Sequence, residues 1–413
     1  MTTPHRRRRA AAFLCATVAV AGLALGACSA SPHLAPVADK APATQSVTVP
    51  ATTPAPARSA TTPTTPATPA TTGPRATVVP AARPATPADP AGIPWSSVRA
   101  GWTVVETGQS PSNPTTGRLQ LVSPYGARYT LATLPWVDLQ DVSPDGRRLL
   151  ATRDGALREM DLVSRAWRTI PSPKGGYGFR YTRPSGSQII ARVGVGSGLP
   201  SFIRFDRAGR TTLSLDLQDG AYAPSGDGRF LVTGWFHQPL VVRDNATGAV
   251  LRTVPTPGGY HDCVPAGTYS APTTVAVRCD KNAPNQAYVS DVFLLDASTG
   301  GLRAVTHATG TGDETYGYVA ALATSQGTLV MRGTGCGPGD TGLVTASGHL
   351  GTALVWPQAV QTPSIAGAVG RTVYATYTTC NGDDVTLRAQ DLVTHQVRTL
   401  VTAPFLQARV IED

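Results

Sequence analysis

The chain has 413 residues, with 35 Lys and Arg against 26 Asp and Glu, a formal net charge of +9, and 6% aromatic residues. Four of the positive charges, Arg6 to Arg9, stand together near the start, so the remainder carries about +5. That remainder has no Lys/Arg cluster of the kind that follows a phosphate backbone, which excludes nucleic acid as an expected partner. The six cysteines show no CxxC or Cys-His spacing, so no zinc motif is predicted.

The first 27 residues have the pattern of a secretory signal, with a basic region followed by the apolar run AAFLCATVAVAGLALGA. The 18 residues between Arg9 and Cys28 fall short of the roughly 20 that a spanning helix needs. Leu25-Gly26-Ala27-Cys28 resembles the bacterial lipobox, which implies a signal peptide at 1–27 and lipidation of Cys28. An uncleaved signal anchor is the alternative. The arginines before Phe13 also match a twin-arginine export signal loosely.

The segment 28–92 is dominated by Pro, Thr and Ala, with little charge and no hydrophobic period. Such a composition cannot bury enough apolar surface to offset the entropy of ordering the chain. We therefore predict a disordered tether with polyproline II character. At about 3.1 Å per residue it would span at most roughly 200 Å.

From residue 93 to 413 a β-hairpin pattern returns about every 38 to 52 residues, the period of a four-stranded propeller blade. The seven hairpins lie at 118–133, 157–170, 202–215, 240–254, 292–305, 342–356 and 386–400. Five of them place an Asp just before the turn: Asp161, Asp206, Asp244, Asp296 and Asp391. Asp at this position closes a turn with its own backbone, so these residues are read as turn formers.

The repeat predicts an all-β fold, a seven-bladed β-propeller, with six or eight blades as alternatives. Innermost strands are expected near 136, 177, 219, 260, 315 and 362. The first blade lacks one, while 405–412 is an unassigned strand-like segment at the other end of the chain. We predict that 405–412 pairs into the first blade, because closure removes the exposed edges of an open ring.

The stretch SPDGRRLLAT at 143–152 resembles the repeat of TolB-like and WD-repeat-like bacterial propellers. In those repeats the Ser-Pro-Asp-Gly turn joins the two inner strands of a blade. Weaker copies occur at 183–193 and 224–234. The resemblance extends over 93–413 and implies a fold rather than a particular activity.

Export leaves four cysteines beyond Cys15 and Cys28, which favours two disulfide bonds. The blade pattern places Cys263 and Cys279 opposite each other on adjacent strands, so we predict that this pair bonds. Cys336 and Cys380 follow the second strands of neighbouring blades and would form the other bond. A different pairing, or four free thiols, remains open.

Ligands of propellers usually bind where the innermost strands begin, at the mouth of the central channel. The candidate ligand residues there are Asp138, Tyr177, Arg180, Asp219, Tyr222, Tyr260, Asp313, Glu314 and Tyr316. The alternative is that they are ordinary loop residues. His261 and Asp262 are the candidates for acid–base catalysis. Neighbours on a strand point to opposite faces, so these two act together only if they lie in a loop.

No cofactor is expected, with calcium as the one metal considered. Its weak candidate ligands, Asp340, Asp383 and Asp384, match no known calcium loop. The sequence contains no GxSxG, HExxH, P-loop or dinucleotide motif, so catalysis is not the favoured reading.

The favoured function is a non-catalytic binding or scaffold module for a protein or an envelope polymer. The alternative is an extracytoplasmic propeller enzyme of the lactonase, cyclotransferase or glycan-lyase type. The expected location is the outer face of the cytoplasmic membrane, held there by the lipid, in a bacterium of high GC content. The sequence does not indicate an oligomeric state.

Overall fold

A computed structural model gives the structure of the protein. It describes residues 89–108, 116–135, 137–195, 198–216, 221–266, 272–283, 286–308, 318–332, 341–345, 347–352, 354, 364–378 and 384–412. Short 3-10 helices span Pro90–Gly92 and Trp95–Ser97. Among the described residues, no helix has the length and apolar composition needed to cross a membrane. Every other regular element in these ranges is a β-strand.

The strands of the first half are β1 (Thr103–Gly108), β2 (Gly117–Val122), β3 (Arg128–Leu134), β4 (Asp138–Val142), β5 (Arg148–Arg153), β6 (Ala156–Asp161), β7 (Trp167–Thr169), β8 (Gly176–Tyr181), β9 (Ile189–Val195), β10 (Gly198–Phe205), β11 (Thr211–Asp216), β12 (Ala221–Pro224), β13 (Phe230–Gly234), β14 (Leu240–Asp244) and β15 (Val250–Val254). The strands of the second half are β16 (Asp262–Pro265), β17 (Thr274–Ala283), β18 (Gln286–Asp296), β19 (Leu302–Ala304), β20 (Tyr318–Thr324), β21 (Gly327–Arg332), β22 (Thr341–Val344), β23 (Leu350–Thr352), β24 (Ser364–Val369), β25 (Thr372–Thr378), β26 (Val385–Asp391), β27 (Val397–Ala403) and β28 (Phe405–Val410).

These strands form seven four-stranded antiparallel sheets, which confirms the seven-bladed propeller. Blades 2 to 7 each take four consecutive strands, β4–β7, β8–β11, β12–β15, β16–β19, β20–β23 and β24–β27. In all six the first strand is innermost and the fourth is outermost. The sequence period of about 38 to 52 residues therefore corresponds to one blade.

Blade 1 is built from both ends of the propeller, in the order β28-β1-β2-β3. β28 pairs antiparallel with β1, from Thr103 opposite Val410 to Gly108 opposite Phe405. The C-terminal strand thus supplies the innermost strand that the first hairpin pattern lacks. This is the closure expected from the sequence, and it leaves β1 paired on both sides.

The repeated turns owe their shape to side chains that bond the local backbone. In the Ser-Pro-Asp-Gly turn of blade 2, Ser143 Oγ accepts the N–H of Arg148 at 2.9 Å, and Asp145 Oδ1 accepts that of Arg147 at 3.1 Å. Gly146 has a positive φ of 64°, which glycine adopts without strain. Ser225, Asp227 and Gly228 repeat this arrangement in blade 4.

The outer turns use the predicted aspartates in the same way. All five aspartates accept backbone N–H groups two to four residues ahead, at 2.7 to 3.1 Å: Asp161, Asp206, Asp244, Asp296 and Asp391. The reading of these residues as turn formers is therefore confirmed.

The core lies between neighbouring blades, where aliphatic side chains from adjacent sheets interdigitate. Blades 1 and 2 share a cluster that includes the fully buried Leu119, Leu121, Leu149 and Met160. Burying each such side chain contributes roughly 1.5–3 kcal/mol. The blades are thereby held at fixed orientations, which determines which loops meet on each face.

Candidate functional site

The candidate site lies on the face of the propeller where the innermost strands begin, which we call the mouth face. Because the strands of a blade are antiparallel, the turns between second and third strands lie on this same face. The turns between first and second strands, and between third and fourth, lie on the opposite face. Each mouth-face site is thus made from two kinds of loop.

Two such loops meet between blades 4 and 5. His261 directly precedes β16, and Asp262 is the first residue of that strand. His261 Nδ1 lies 2.6 Å from Asp262 Oδ2. The β13–β14 turn of blade 4 contributes His237, whose Nδ1 lies 3.1 Å from Asp262 Oδ1. The structure therefore gathers two imidazoles around one carboxylate, and His261 meets Asp262 because it stands in a loop.

The backbone around this group is held firmly. The N–H of His237 donates to Asp262 Oδ1 at 2.5 Å, and the N–H of His261 donates to the carbonyl of Asp280 at 3.0 Å. Cys263, which follows Asp262 in β16, is opposite Cys279 in β17, and the predicted disulfide bond joins the two cysteines. The carboxylate is thus anchored on a cross-linked strand pair.

The environment of Asp262 favours its charged form. Its side chain is buried, with 9% of its surface exposed, and this burial acts to raise the pKa of the carboxyl. The bonds from the His237 N–H and the His261 imidazole outweigh burial and hold the pKa below its ordinary value. At neutral pH the group is a carboxylate flanked by two nitrogen donors.

Tyr260 immediately precedes this group but turns to a different partner. Its hydroxyl donates to Asp291 Oδ2 at 2.8 Å, and its ring stands edge-on to Phe293 with centroids 5.0 Å apart. Lys281 Nζ lies 2.7 Å from the same Asp291 oxygen. Burial, followed by the bond to Asp291, raises the pKa of Tyr260 above its usual range. This tyrosine therefore holds the inside of blade 5 together.

A second mouth-face feature lies between blades 2 and 3, where a cavity of about 520 Å³ opens beside Asp138 and Tyr177. The cavity is lined by Asp138, Gln140, Arg153, Asp154, Tyr177 and Phe179 among others. Gln140 is fixed within it, donating to Asp138 Oδ2 at 2.7 Å and accepting the N–H of Phe179 at 3.2 Å. The structure thus brings two of the sequence-predicted residues, Asp138 and Tyr177, to one cavity.

Arg180 and Tyr222 lie near Tyr177 but differ in exposure. Arg180 is exposed, whereas Tyr222 is half-buried, edge-on to Phe202 at 4.8 Å and beneath the guanidinium of Arg192 at 5.2 Å. Burial raises the pKa of the Tyr222 hydroxyl, opposed by the charges of Arg180 and Arg192. Tyr222 therefore packs blade 3 against blade 4, while Arg180 stays accessible.

The innermost strands of blades 1 and 2 are joined by an arginine from the closing strand. Arg409 donates to the carbonyls of Leu139 and Gln140 at 2.6 and 2.8 Å. Nearby, Asp141 pairs with Arg183 at 3.0 Å. Burial raises the pKa of the Glu412 carboxyl above its ordinary value, with Arg183 opposing. Arg409 thus connects blade 1 to blade 2, and the Asp141–Arg183 pair connects blade 2 to blade 3.

Several of the predicted residues lie outside the described residues: Cys28, Asp219, Asp313, Glu314, Tyr316, Cys336, Cys380, Asp340 and Asp383. Asp384 is described and exposed, directly before β26. His237 was not among the sequence candidates, because it belongs to a turn of the preceding blade. Its signal in the sequence is its place in the turn between the second and third strands of blade 4, a turn that the blade pattern assigns to the mouth face.

No protein-family model matches the chain, and no curated protein matches it in sequence. Solved structures of other proteins resemble it in fold. The β-propeller domain of the Trilobed protease from Pyrococcus furiosus is 9% identical, with a TM-score of 0.52 over 74% of this chain and 93% of that one. A prolyl endopeptidase is 12% identical, with a TM-score of 0.50 over 75% of this chain and 50% of that one. At these identities both show the propeller fold alone.

A putative TolB from Agrobacterium tumefaciens is also similar, at 12% identity and a TM-score of 0.40, over 75% of this chain and 98% of that one. TolB-like propellers are therefore among the structural neighbours of the chain. Propellers serve both binding and catalysis, so function has to be argued from the site.

Proposed function

We propose that the protein is an extracytoplasmic lipoprotein whose propeller binds a protein or an envelope polymer through its mouth face. In this proposal Cys28 carries the lipid, the Pro/Thr/Ala-rich segment 28–92 is the tether, and the membrane is the cytoplasmic membrane of a bacterium. The propeller acts by binding rather than by catalysis.

The observation that carries the binding role is the exposure of aromatic side chains on the mouth face. Tyr177 is 47% exposed beside the 520 Å³ cavity, and Phe236 is 41% exposed in the β13–β14 turn of the adjacent blade. Phe236 packs edge-on against Trp235 with ring centroids 5.0 Å apart. Aromatic residues and arginine are enriched in protein interfaces, and the exposed Arg180 lies three residues from Tyr177.

The opposite face supplies a comparison. It carries one exposed aromatic residue among the described ones, Tyr125, which is 81% exposed and has the Arg398 guanidinium 5.4 Å from its ring centre. Val163 and Val393 are 43% and 50% exposed there, each in an outer turn of a separate blade. Single exposed aliphatic residues of this kind are ordinary on a protein surface. They are similar in exposure to Tyr177 and Phe236 and therefore make matched controls.

The test is site-specific photo-cross-linking in cells that carry the protein. A photoreactive phenylalanine at 177 or 236 should give a discrete adduct, and the same residue at 163 or 393 should not. An adduct whose added mass is removed by glycan-cleaving enzymes identifies a polymer, and one that these enzymes leave unchanged and whose peptides include a second protein identifies a protein partner. Equal labelling from both faces, or none from the mouth face, would contradict the proposal.

The anchoring has a separate test. Metabolic labelling with a palmitate analogue should mark the wild-type chain, and Cys28→Ala should abolish the label and release the protein from the membrane fraction. Label retained by Cys28→Ala would refute lipidation at this residue without affecting the binding proposal.

An enzymatic role is the second candidate, favoured by the 2.6 Å contact between His261 and Asp262. A histidine oriented by a carboxylate is the arrangement of a general base. Turnover of lactones or glycans by the purified protein, lost in His261→Asn, would support this role over pure binding.

A further inference from the structure

We propose that His237, His261 and Asp262 form a binding site for a divalent transition-metal ion, with zinc as the ion that suits these donors. This site goes beyond the binding function proposed above and does not depend on it. The sequence did not indicate such a site, because no Cys-His motif is present. His237 belongs to blade 4, whereas His261 and Asp262 belong to blade 5.

The side-chain donors are close enough for one ion. Each of the three residues offers a donor atom, and these atoms all lie within 4.8 Å of one another. Zinc binds nitrogen and carboxylate oxygen at about 2.0–2.2 Å, which places tetrahedral ligands roughly 3.4 Å apart. The distance from Asp262 Oδ1 to His237 Nδ1, 3.1 Å, is near that spacing, and the distance from the other oxygen, Oδ2, to His261 Nδ1, 2.6 Å, needs a small expansion.

The donor types decide which ion fits. Calcium and magnesium take six or more oxygen ligands, whereas imidazole nitrogen suits zinc, copper and nickel. Two imidazoles with one carboxylate form a three-ligand set that leaves one tetrahedral position open. His237 is the exposed member, with 79% of its side chain accessible, so an ion can reach the group from solvent.

The carboxylate and one imidazole are already in place. The strand pair that carries Asp262 is cross-linked by the Cys263–Cys279 bond, and the backbone N–H of His261 is bonded to Asp280. The backbone of His237 is tied to the Asp262 carboxylate at 2.5 Å. An ion would therefore order mainly the His237 side chain, which keeps the entropic cost of binding small.

Among the described residues of blade 5, the two basic side chains nearest in the register pair with other carboxylates. Arg278 is paired with Asp280 at 3.2 Å, and Lys281 is paired with Asp291 at 2.7 Å. Each of these nearby cations has a carboxylate partner, so neither neutralises Asp262. The charge of Asp262 remains available to a metal ion.

The experiment is a zinc titration of the purified full-length chain in competition with a chromophoric chelator. His237→Asn is the main variant, because asparagine tolerates the positive φ of 59° at this position while removing the imidazole. His395→Asn is the matched control, since His395 also has a positive φ, 56°, in an exposed turn of blade 7. Cobalt titration provides a visible-spectrum readout of tetrahedral coordination.

We expect one zinc per chain, an affinity reduced roughly 100-fold or more in His237→Asn and His261→Asn, and no change in His395→Asn. Cobalt should give an intense visible band that the first two variants lose. The proposal is overturned if His237→Asn binds zinc as wild type does, or if all three variants lose affinity equally. It is also overturned if zinc binding is lost in a Cys336→Ser, Cys380→Ser variant instead.

A negative metal result leaves the binding proposal intact, because the cross-links from Tyr177 and Phe236 are measured without added metal. If zinc binds as expected but no adduct forms at the mouth face, the metal site stands and the binding proposal fails.

Discussion

Buried carboxylates between blades show how single residues hold the ring together. Glu159 of β6 has a side chain only 3% exposed and is bonded by Arg168, by Arg207 Nε at 2.9 Å and by the Tyr181 hydroxyl at 2.8 Å. Burial acts to raise the pKa of Glu159, but the bonds from Arg207, Tyr181 and Arg168 hold it below its ordinary value. Blades 2 and 3 are thus joined by a charged cluster whose carboxylate is buried, while the Arg168 side chain remains 54% exposed.

Two arginines of the β10–β11 turn allow the contribution of this cluster to the free energy of unfolding to be measured. Arg207 binds the buried Glu159, whereas Arg210 pairs with the turn residue Asp206 and is 82% exposed. Arg207→Gln should lower the free energy of unfolding by roughly 3 kcal/mol, because a buried carboxylate loses a partner. Arg210→Gln should change it far less, because solvent screens an exposed pair. Urea denaturation of both variants measures the difference, and equal effects would disprove the assignment.

Glu106, in the middle of β1, is a second buried carboxyl but has no cation against it among the described residues. It is fully buried, and burial raises its pKa to about 8, despite the Val137 N–H that donates to Oε1 at 3.0 Å. Its other oxygen, Oε2, has no hydrogen-bond partner among the described residues. At neutral pH this side chain is therefore largely a neutral acid.

The raised pKa predicts a pH-dependent stability. The group keeps its proton in the folded state up to about pH 8 and loses it near 4.5 when unfolded. Its contribution is therefore fully present below pH 4.5 and falls by about 1.4 kcal/mol per pH unit between these values. Glu106→Gln, which cannot ionise, should remove that part of the slope. Urea unfolding from pH 5 to 8 compares the two proteins, and parallel curves would contradict the prediction.

At the scale of elements, the turns between the two inner strands of a blade pack closely against the preceding blade. In the β12–β13 turn, Gly228 has a φ of 71°, and a Cβ there would lie 2.1 Å from the carbonyl oxygen of Arg183 in blade 3. In the β5–β6 turn, which joins the second and third strands of blade 2, Gly155 has a φ of 73°, with no atom within 4 Å of where its Cβ would stand. The two glycines share a backbone conformation but differ in their neighbours.

Substituting these two glycines separates conformational strain from crowding. Gly155→Ala should cost about 1–2 kcal/mol, from the positive φ alone. Gly228→Ala should cost this and a further 1–3 kcal/mol or so, because the blades must move apart to admit the methyl group. Thermal unfolding of both variants gives the comparison. If Gly155→Ala were as destabilising as Gly228→Ala, the contact between blades would not matter.

At the scale of the whole molecule, stability depends on closing the ring. β28 supplies the innermost strand of blade 1, and its Arg409 and Gln407 also bond the backbone of β4 in blade 2. Removing β28 exposes one edge of β1 and unties the first two blades at once. An open edge of this kind invites pairing with other chains.

A chain ending at Ala403 should therefore unfold at a lower temperature than wild type and aggregate on heating. A synthetic peptide of residues 405–412, added in excess, should restore much of the lost stability through mass action. A scrambled peptide of the same composition is the control. Unchanged melting of the truncated chain would show that blade 1 closes without β28.

The fold was predictable because its signals are local. The carboxylate of Asp161 accepts N–H groups two and three residues ahead, so a few consecutive residues are enough to specify the turn. The strand period then follows from the spacing of the turns. The Cys263–Cys279 bond and the pairing of 405–412 followed from blade register, once the repeat was recognised.

The candidate site was predictable in part. Asp138 and Tyr177 reach one cavity, and His261 and Asp262 form one group, because each pair lies where innermost strands begin. Their partners were decided by tertiary structure. His237 joins Asp262 from the preceding blade, and Tyr260 turns inward to Asp291 although it stands beside His261 in sequence.

The sequence by itself determined the blades and the strand that closes them, because turn chemistry and alternation act over a few residues, and it favoured seven blades over six or eight. The tertiary structure alone decided which side chains meet across blades, as His237 meets Asp262, Arg207 meets Glu159, and Glu106 is left without a cation among the described residues. Such contacts depend on the angle between packed sheets, and that angle is set by all the core side chains together rather than by any local stretch.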